Sequence, residues 1–363
     1  MTQSLIKRWF RPEVLALSAY HVADAKNFIK LDAMENPFPW PDAIQTEWLK
    51  SLKNCEINRY PDPEARELVK ALRQSQSIPD DLAVILGNGS DEIIQILLMA
   101  LNSEATVLAV EPSFVMYKQI AVSLGLRYQS VPLQADDFSL DLDAVLESIK
   151  THQPALSFLA YPNNPTGNLF SLDSLEAVIQ ASPGIVVIDE AYAPFTDASF
   201  LPRIQNYNNV VVMRTVSKLG LAGLRLGYLI GSAEILDELN KIRLPYNINI
   251  LTQLTAKFAL DHQAFLQQQT AVLRAERETL LTALNALTGI QAYPSQANFI
   301  MFRCLEISAD AVFESLKQQG ILIKNLSRQG GLLTDCLRVT VGTLEENLGF
   351  LKALNTALKS GTE

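Results

Sequence analysis

The chain is organised around Val210-Val211-Val212-Met213-Arg214-Thr215-Val216-Ser217-Lys218, which continues as Leu219-Gly220-Leu221-Ala222-Gly223-Leu224-Arg225-Leu226-Gly227. The first part is an apolar run rich in β-branched residues, which is typical of a strand buried on both faces of a sheet. The run ends in a Ser-Lys pair, and a loop of small residues then carries an Arg to a second apolar segment. One Lys and one Arg in the same loop indicate a functional site, although isolated loop cations are more often solvated surface residues.

Strand-like and helical patterns alternate on the N-terminal side of this stretch. Strands are predicted at 82–86, 106–110, 127–131, 155–160, 184–188 and 210–214, with helices at 64–74, 93–101, 116–124, 142–150 and 172–181. This alternation predicts an α/β fold with a mainly parallel sheet, right-handed crossovers and flanking helices. Segment 226–230 follows Arg214 too closely for a crossover helix, so we expect it to run antiparallel.

The pattern of predicted helices and strands changes after residue 233. Helices are predicted at 234–241, 251–286 with a break near Asp261, 309–319 and 344–358, and strands at 298–302, 321–324 and 337–341. Because 363 residues exceed the usual size of one core, we expect two domains. The predicted division is an N-terminal arm (1–30), a large α/β domain (61–264) and a small α+β domain (31–60 with 265–363). Three prolines within 37–41 predict a fixed loop there.

The bulk composition narrows the possible partners. A net charge of −9 argues against a nucleic-acid binder, which needs clustered Lys and Arg, and favours small metabolites. The three cysteines, Cys55, Cys304 and Cys336, lack metal-ligand spacing and give no disulfide framework, so a cytoplasmic location and no metal site are expected. No apolar run has the length of a signal peptide core or a membrane span, which predicts a soluble protein.

A glycine-rich turn, Gly87-Asn88-Gly89-Ser90-Asp91-Glu92, lies between a predicted strand and a predicted helix. Free backbone N–H groups at a helix start bind phosphate, although Gly-Asn-Gly also suits an ordinary tight turn. The turn lacks the Lys-Ser/Thr of a nucleoside-triphosphate loop and the glycine spacing of a dinucleotide fingerprint, which disfavours a nicotinamide-dependent dehydrogenase.

Polar and aromatic residues follow several of the predicted strands. Since ligands bind beyond the carboxyl ends of the strands of an open parallel sheet, we expect these residues to share one site. They are Gly89, Ser90, Asp91, Phe114, Asn164, Asp189, Tyr192, Ser217, Lys218 and Arg225. Each alone also has a structural interpretation, as a cap, a turn residue or part of the core.

Together these residues match the needs of one cofactor, pyridoxal 5′-phosphate. A Lys amine reacts with carbonyls only if burial or a nearby cation such as Arg225 lowers its pKa, which would make Lys218 the nucleophile. Asp189 would keep a ring nitrogen protonated, and Asn164 and Tyr192 would hydrogen-bond the ring's 3′-oxygen. Lys218 would then serve as the base that moves the substrate proton.

Sequence blocks along nearly the whole chain resemble the fold-type I aminotransferases, and among them the histidinol-phosphate aminotransferases. The Asn-Pro-Thr-Gly, Asp-Glu-Ala-Tyr and Ser-Lys blocks mark the wider group, whereas Asn-Arg-Tyr-Pro and Arg-Val-Thr-Val-Gly-Thr narrow it. The matching blocks are 11–13 with Tyr20, 31–37, 58–61, 87–92, 161–167, 189–192, 217–218, 222–225, 297–299 and 337–343.

The resemblance implies a role for each matching residue. Lys218 would carry the cofactor covalently, Asp189 would pair with its ring nitrogen and Phe114 would stack on the ring. Ser90, Asp91, Ser217 and Arg225 would hold the phosphate, with Tyr60 reaching over from the other subunit of a homodimer with shared active sites. The substrate residues would be Tyr20, Asn36, Asn164, Lys324 and Arg338, with Arg338 accepting a phosphate in one half-reaction and a carboxylate in the other.

The implied reaction is transamination of histidinol phosphate with 2-oxoglutarate, giving imidazole acetol phosphate and glutamate in histidine biosynthesis. The alternatives are a phosphothreonine decarboxylase of corrinoid synthesis, an aromatic amino acid aminotransferase and a non-catalytic cofactor-binding module. The sequence departs from the commoner family pattern in a shorter Lys218–Arg225 spacing, in Met34 for Asn, in Phe114 for Tyr and in Lys324 for Arg. Lys324 keeps the charge of Arg but loses its bidentate fork.

Overall fold

The structure, a computed structural model, describes residues 2–19 and 24–360. In chain order its strands are β1 (Ile29–Lys30), β2 (Ala83–Gly87), β3 (Thr106–Glu111), β4 (Arg127–Pro132), β5 (Leu156–Ala160), β6 (Ile185–Asp189), β7 (Val210–Thr215), β8 (Gly227–Gly231), β9 (Ile290–Ala292), β10 (Phe299–Cys304), β11 (Ile321–Leu322), β12 (Lys324–Asn325) and β13 (Cys336–Thr340).

The helices alternate with these strands through the first two thirds of the chain. They are α1 (Thr2–Trp9), α2 (Pro12–Ala16), α3 (Asp42–Leu52), α4 (Arg66–Gln76), α5 (Ser90–Met99), α6 (Val115–Ser123), α7 (Leu142–His152), α8 (Leu172–Ala181), α9 (Ala233–Asn240), α10 (Ile250–Asp261), α11 (Ala264–Asn285), α12 (Ala309–Gln318) and α13 (Leu344–Ser360). The predicted break near Asp261 is confirmed.

A seven-stranded sheet has the order β2-β8-β7-β6-β5-β3-β4. Its strands are parallel except β8, which is antiparallel to both β2 and β7 and confirms the predicted direction of this segment. All six residues of β7 are buried, as the apolar run predicts. Helices cover both faces, so burial of each large apolar side chain contributes about 1.5–3 kcal/mol to stability.

A second, antiparallel sheet has the order β12-β13-β10-β9, and β1 pairs with β11 in a separate two-stranded sheet. The prediction of one strand over 321–324 is wrong. Residues 321–322 pair with β1, whereas 324–325 pair with β13, because the chain leaves one sheet and enters the other at Ile323. This switch brings Lys324 opposite Arg338 in the register of β12 and β13.

The linking segments include one feature that the sequence patterns did not predict. Residues 31–41 form no helix or strand, as their prolines predict, but α3 follows directly. Trp48 of α3 donates its indole N–H to the Thr255 hydroxyl of α10 at 2.9 Å. Segment 31–60 therefore contacts the larger sheet's helices as well as β11, and the predicted domain boundaries stay a prediction. Within the described residues, no helix combines the length and apolarity needed to cross a membrane.

Candidate active site

One pocket lies at the carboxyl ends of β5, β6 and β7 and at the start of α5. It is lined by nine of the predicted residues: Ser90, Asp91, Phe114, Asn164, Asp189, Tyr192, Ser217, Lys218 and Arg225. Met34, Ala160, Pro162, Ala191 and Thr215 complete its wall. Side chains that lie more than a hundred residues apart in the chain thus share one pocket, as their positions at strand ends predict.

Lys218 lies in a single 3₁₀ turn (Ser217–Leu219) that follows β7 directly. Its Nζ donates to the Ala33 carbonyl at 3.1 Å and lies 6.0 Å from the centre of the Tyr192 ring. Burial, reinforced by the positive charges of Arg338 and Arg225, lowers the pKa of Lys218 from 10.5 to about 8. About a tenth of the amine is therefore unprotonated and nucleophilic at pH 7, far more than for a lysine with the usual pKa.

Asp189 is the last residue of β6 and is buried. Its Oδ2 accepts from the Tyr117 hydroxyl at 2.5 Å and its Oδ1 from the Ala191 N–H at 3.0 Å. Burial raises the pKa of Asp189 to about 6, and the neighbours that oppose this shift are these two neutral donors. A carboxylate with four acceptor positions keeps capacity for a further donor, and a cationic one would stabilise its charge.

The next residue along the chain provides a contrast. Glu190 is also buried, but its Oε2 accepts from Arg214 Nη2 at 2.7 Å and from Arg214 Nε at 2.9 Å. The two adjacent carboxylates thus differ in partner. Glu190 has an arginine within the protein, whereas Asp189 faces the pocket with neutral donors only.

The glycine-rich turn gives the pocket an anion-binding end. Gly89 precedes α5 with φ of 85°, a conformation that favours glycine, and a Cβ there would lie 2.7 Å from Arg225 Nη2. A Cβ on Gly227 would lie 2.6 Å from the Ser90 backbone nitrogen. These close approaches place the N–H groups at the start of α5 beside the Arg225 guanidinium, and Ser217 lines the same end of the pocket.

The short Lys218–Arg225 spacing is accommodated by tight local turns. Gly220 has φ of 108°, and a second 3₁₀ turn, Ala222–Leu224, leads to Arg225 in the left-handed conformation with φ of 48°. The Arg225 side chain then reaches Asp91, with Nη2 3.2 Å from Oδ2. The loop is short, yet it delivers the guanidinium to the pocket.

Arg338 adjoins the pocket from β13. Its Nη1 donates to Asn164 Oδ1, its Nη2 donates to the Asp32 carbonyl at 3.1 Å, and its guanidinium carbon lies 5.1 Å from the centre of the Phe299 ring. Because Arg338 engages Oδ1 of Asn164, the amide presents its Nδ2 hydrogens as donors to a ligand. Lys324 lies on the neighbouring strand, opposite Arg338.

Two predicted residues lie outside the pocket wall, and a third falls outside the residues that the structure describes. Asn36 Nδ2 donates to Gln269 at 3.1 Å, and Asn36 packs beside Gly220 rather than in the pocket wall. Tyr60 is 81% exposed and stacks on Tyr246 with ring centres 4.5 Å apart. Tyr20 falls outside the described residues.

Two residues in or beside the pocket had no role predicted from the sequence. Tyr117 lies one helical turn after Phe114, and this i, i+3 spacing was the available signal for a second aromatic at the same place. Met34 lines the pocket with φ of 54°, an uncommon conformation for a residue with a flexible apolar side chain. Among the described residues, no cluster of three or more His, Cys, Asp or Glu side chains offers a metal site.

Comparison with known proteins places this geometry in a family. The model of "Aminotransferase class I and II" matches residues 26–354. "Histidinol-phosphate aminotransferase 2" of Nitrosococcus oceani is 55% identical over 361 residues, covering 99% of this chain and 100% of the relative. The histidinol-phosphate aminotransferase structure from Clostridium acetobutylicum superposes with a TM-score of 0.83 at 25% identity, covering 91% of this chain and 99% of the other.

A second solved structure, histidinol-phosphate aminotransferase from Sinorhizobium meliloti in complex with pyridoxal-5′-phosphate, gives a TM-score of 0.84 at 24% identity and covers 97% of this chain and 98% of the other. This likeness bears on the fold. The match of the family model over most of the chain, with the high identity to a full-length relative, shows that the chain belongs to the class I and II aminotransferases.

Proposed function

We propose that the chain binds pyridoxal 5′-phosphate and transfers an amino group from histidinol phosphate to 2-oxoglutarate. The observation that carries the cofactor assignment is the pairing, in one pocket, of a lysine amine with a lowered pKa and a buried carboxylate that has no cationic partner among the described residues. The substrate assignment is supported by the name of the N. oceani relative, with which the chain shares 55% identity.

The residues present fit this cofactor at each of its functional groups. Asp189 would pair with the protonated ring nitrogen, which would be the cationic partner of this carboxylate. Phe114, an aromatic side chain in the pocket wall, would stack on the ring. The start of α5 with Ser90, together with Ser217 and Arg225, would hold the phosphate, because backbone N–H groups and a guanidinium both favour an anion there.

The bound cofactor supplies an aldehyde and an aromatic ring that accepts electrons when a substrate proton leaves. Lys218 would hold it covalently through Nζ and, once released by the substrate amine, would accept the proton from the substrate carbon that bears nitrogen. The Tyr192 hydroxyl and Asn164 Nδ2 would donate to the 3′-oxygen. The protein thus orients the reacting groups and moves one proton at a single atom, Lys218 Nζ.

Arg338 would bind the anionic end of either substrate. Its planar fork suits both the phosphate of histidinol phosphate and the carboxylate of glutamate, so one group can serve two half-reactions. Asn164 and Asp32 hold the guanidinium at the pocket edge. Lys324, opposite it in the sheet, would add a second positive charge for the phosphate, and Tyr20 and Asn36 are further proposed substrate contacts.

A homodimer would complete the site. Tyr60 is exposed within its own chain, and its ring is held in place by stacking on Tyr246. We propose that its hydroxyl reaches the cofactor phosphate of the second subunit. Replacement of Tyr60 by Phe is expected to weaken cofactor binding, and mixing this variant with Lys218→Ala protein is expected to restore one native site per mixed dimer.

The test begins with covalent trapping. Borohydride should fix the cofactor on Lys218, and Lys218→Ala should abolish both fixation and turnover, whereas Lys150→Ala, an exposed helix position, should change neither. Turnover is then compared for histidinol phosphate, phosphothreonine, phenylalanine and tyrosine as amino donors to 2-oxoglutarate.

Each outcome separates one function from another. Highest kcat/KM with histidinol phosphate supports the proposal, carbon dioxide release from phosphothreonine supports a decarboxylase, and preference for phenylalanine or tyrosine supports an aromatic aminotransferase. A protein that binds the cofactor but does not convert it to the amine form with glutamate in a single turnover is a binding module. Full turnover by Lys218→Ala would refute the mechanism for all three enzymes.

A further inference from the structure

We propose that Tyr117 is a positioning residue for the reaction, which acts through Asp189 by holding this carboxylate ionised and aimed at the cofactor ring nitrogen. This inference rests on the proposed function, since it assigns a task to a side chain behind the cofactor. Tyr117 does not line the pocket. Its hydroxyl donates to Asp189 Oδ2 at 2.5 Å.

The Tyr117 ring is held from two sides. It is fully buried and stacks on Phe158 of β5, with ring centres 4.2 Å apart and planes within 4° of parallel. Its other contact is with Phe114, edge to face at 5.5 Å and 86°. One buried side chain therefore contacts both the carboxylate proposed to face the ring nitrogen and the aromatic proposed to stack on the ring.

The hydroxyl is a permanent donor. Burial and the neighbouring Asp189 raise the pKa of Tyr117 well above its usual value of 10, so the phenol keeps its proton. Burial also raises the pKa of the Asp189 carboxyl, to about 6. This shift favours the neutral carboxyl, whereas the proposed function needs the ionised one. A donor to the ionised form opposes that shift, so loss of the Tyr117 hydroxyl would make Asp189 easier to protonate.

Carboxylates and phenols among the described residues act on the charges of this pair. Asp91 and Glu190 are the carboxylates that raise the pKa of Asp189, and Tyr192 and Tyr128 are the phenols that act on Tyr117. Burial raises the pKa values of Tyr192 and Tyr128 well above the usual 10, so neither phenol changes charge near neutral pH. A pH effect near 6 that is moved by changing Tyr117 would therefore report on Asp189.

The experiment is a double-mutant cycle of Tyr117→Phe with Asp189→Asn, with Tyr128→Phe as the matched control. Phe keeps the ring that stacks on Phe158, so the fold is expected to be retained. The first readout is the Kd of pyridoxal 5′-phosphate for the cofactor-free protein as a function of pH. The others are kcat and KM for histidinol phosphate and the absorbance spectrum of the loaded enzyme.

Tyr117→Phe is expected to raise the cofactor Kd and lower kcat by roughly tenfold or more, as for loss of one hydrogen bond to a buried charge. Cofactor affinity should fall off at a higher pH than in the parent as the solution is acidified, and KM should change little. In the Asp189→Asn background the same change should have almost no further effect, because the interaction it removes is already absent.

Two results would overturn the inference. Equal losses from Tyr117→Phe in both backgrounds would show a role that does not pass through Asp189, and an unmoved pH dependence would show that the hydroxyl does not set the ionisation of the carboxyl. If Asp189→Asn and Lys218→Ala themselves leave turnover intact, the proposed function fails instead. The two failures are thus distinguishable.

Discussion

Removing the arginine of the Glu190–Arg214 ion pair should destabilise the protein by about 3–5 kcal/mol, the usual cost of leaving a buried charge without its partner. The pair joins the ends of β6 and β7, next to Asp189 and close to Lys218. The side chains are 9% and 0% exposed for Arg214 and Glu190, and two Arg214 nitrogens donate to one Glu190 oxygen at 2.7 and 2.9 Å.

The surroundings place the expected value at the lower end of that range. In Arg214→Met, Glu190 would keep the Ser199 hydroxyl at 3.0 Å and the Phe200 N–H as donors. A cavity of about 290 Å³ also borders both charged groups, so water can enter and solvate the carboxylate. We therefore expect a loss of about 3 kcal/mol rather than 5.

The matched control is Arg127→Met, which breaks the Arg127–Glu104 pair. Those side chains are 62% and 85% exposed, so the change should cost less than about 1 kcal/mol. The assay is urea unfolding at fixed protein concentration without added cofactor, since both dimerisation and cofactor binding shift apparent stability. The double variant Arg214→Met with Glu190→Leu removes both charges and should be more stable than Arg214→Met alone.

Two observations would refute this reasoning. One is a midpoint and slope for Arg214→Met that match those of Arg127→Met. The other is a double variant that loses the sum of the two single losses, which would show that packing, not charge pairing, dominates at this position.

Three further predictions test the site. The folded-state pKa of Lys218 is about 8 against an ordinary 10.5, so the unfolded chain binds more protons between these pH values and stability rises with pH. The cofactor-free Lys218→Met variant should therefore have a higher free energy of unfolding than the parent at pH 7. This advantage should shrink between pH 8 and 10.5, as measured by urea titrations. Gly227→Ala places a Cβ 2.6 Å from the Ser90 nitrogen and should weaken cofactor binding strongly, whereas Gly223→Ala, with no atom within 4 Å of its Cβ, should leave the cofactor Kd unchanged; equal effects would contradict the close approach. Arg338→Lys should raise KM for both histidinol phosphate and glutamate by roughly tenfold, because an ammonium cannot form the bidentate contact, and an effect on one substrate alone would argue against a shared anion site.

The sequence predicted those parts of the fold and pocket that follow from local pattern. The apolar run at Val210–Thr215 identifies a buried strand, and the strand-end rule then collects Asp189 and Lys218 without three-dimensional information. Tyr117 was missed because its task depends on β6 lying beside the first turn of α6, a contact between chain segments 72 residues apart. The single strand predicted at 321–324 was wrong because an apolar pattern does not show which of two sheets each residue joins.

The helix after Pro41 was missed for a related reason. Prolines mark where a regular element cannot continue, and the prediction of a fixed loop was confirmed, but α3 depends on contacts with α10 that no local pattern contains. Likewise, the spacing from Lys218 to Arg225 raised a question that only backbone geometry answers. Two left-handed residues, Gly220 and Arg225, shorten the path.

The antiparallel strand β8 has a consequence for synthesis of the chain. It lies between β2 and β7, and Gly87 and Gly227 are partners in its register although about 140 residues separate them. At about 5–20 residues per second, a ribosome that has completed β2 needs roughly 7–30 s to deliver its partner strand. Through that interval β2 has no neighbour on its only paired side, and the glycine turn at its end lacks Gly227 and Arg225. The proposed phosphate-binding corner, formed by the start of α5 and Arg225, is therefore assembled late in synthesis, when β8 enters the sheet.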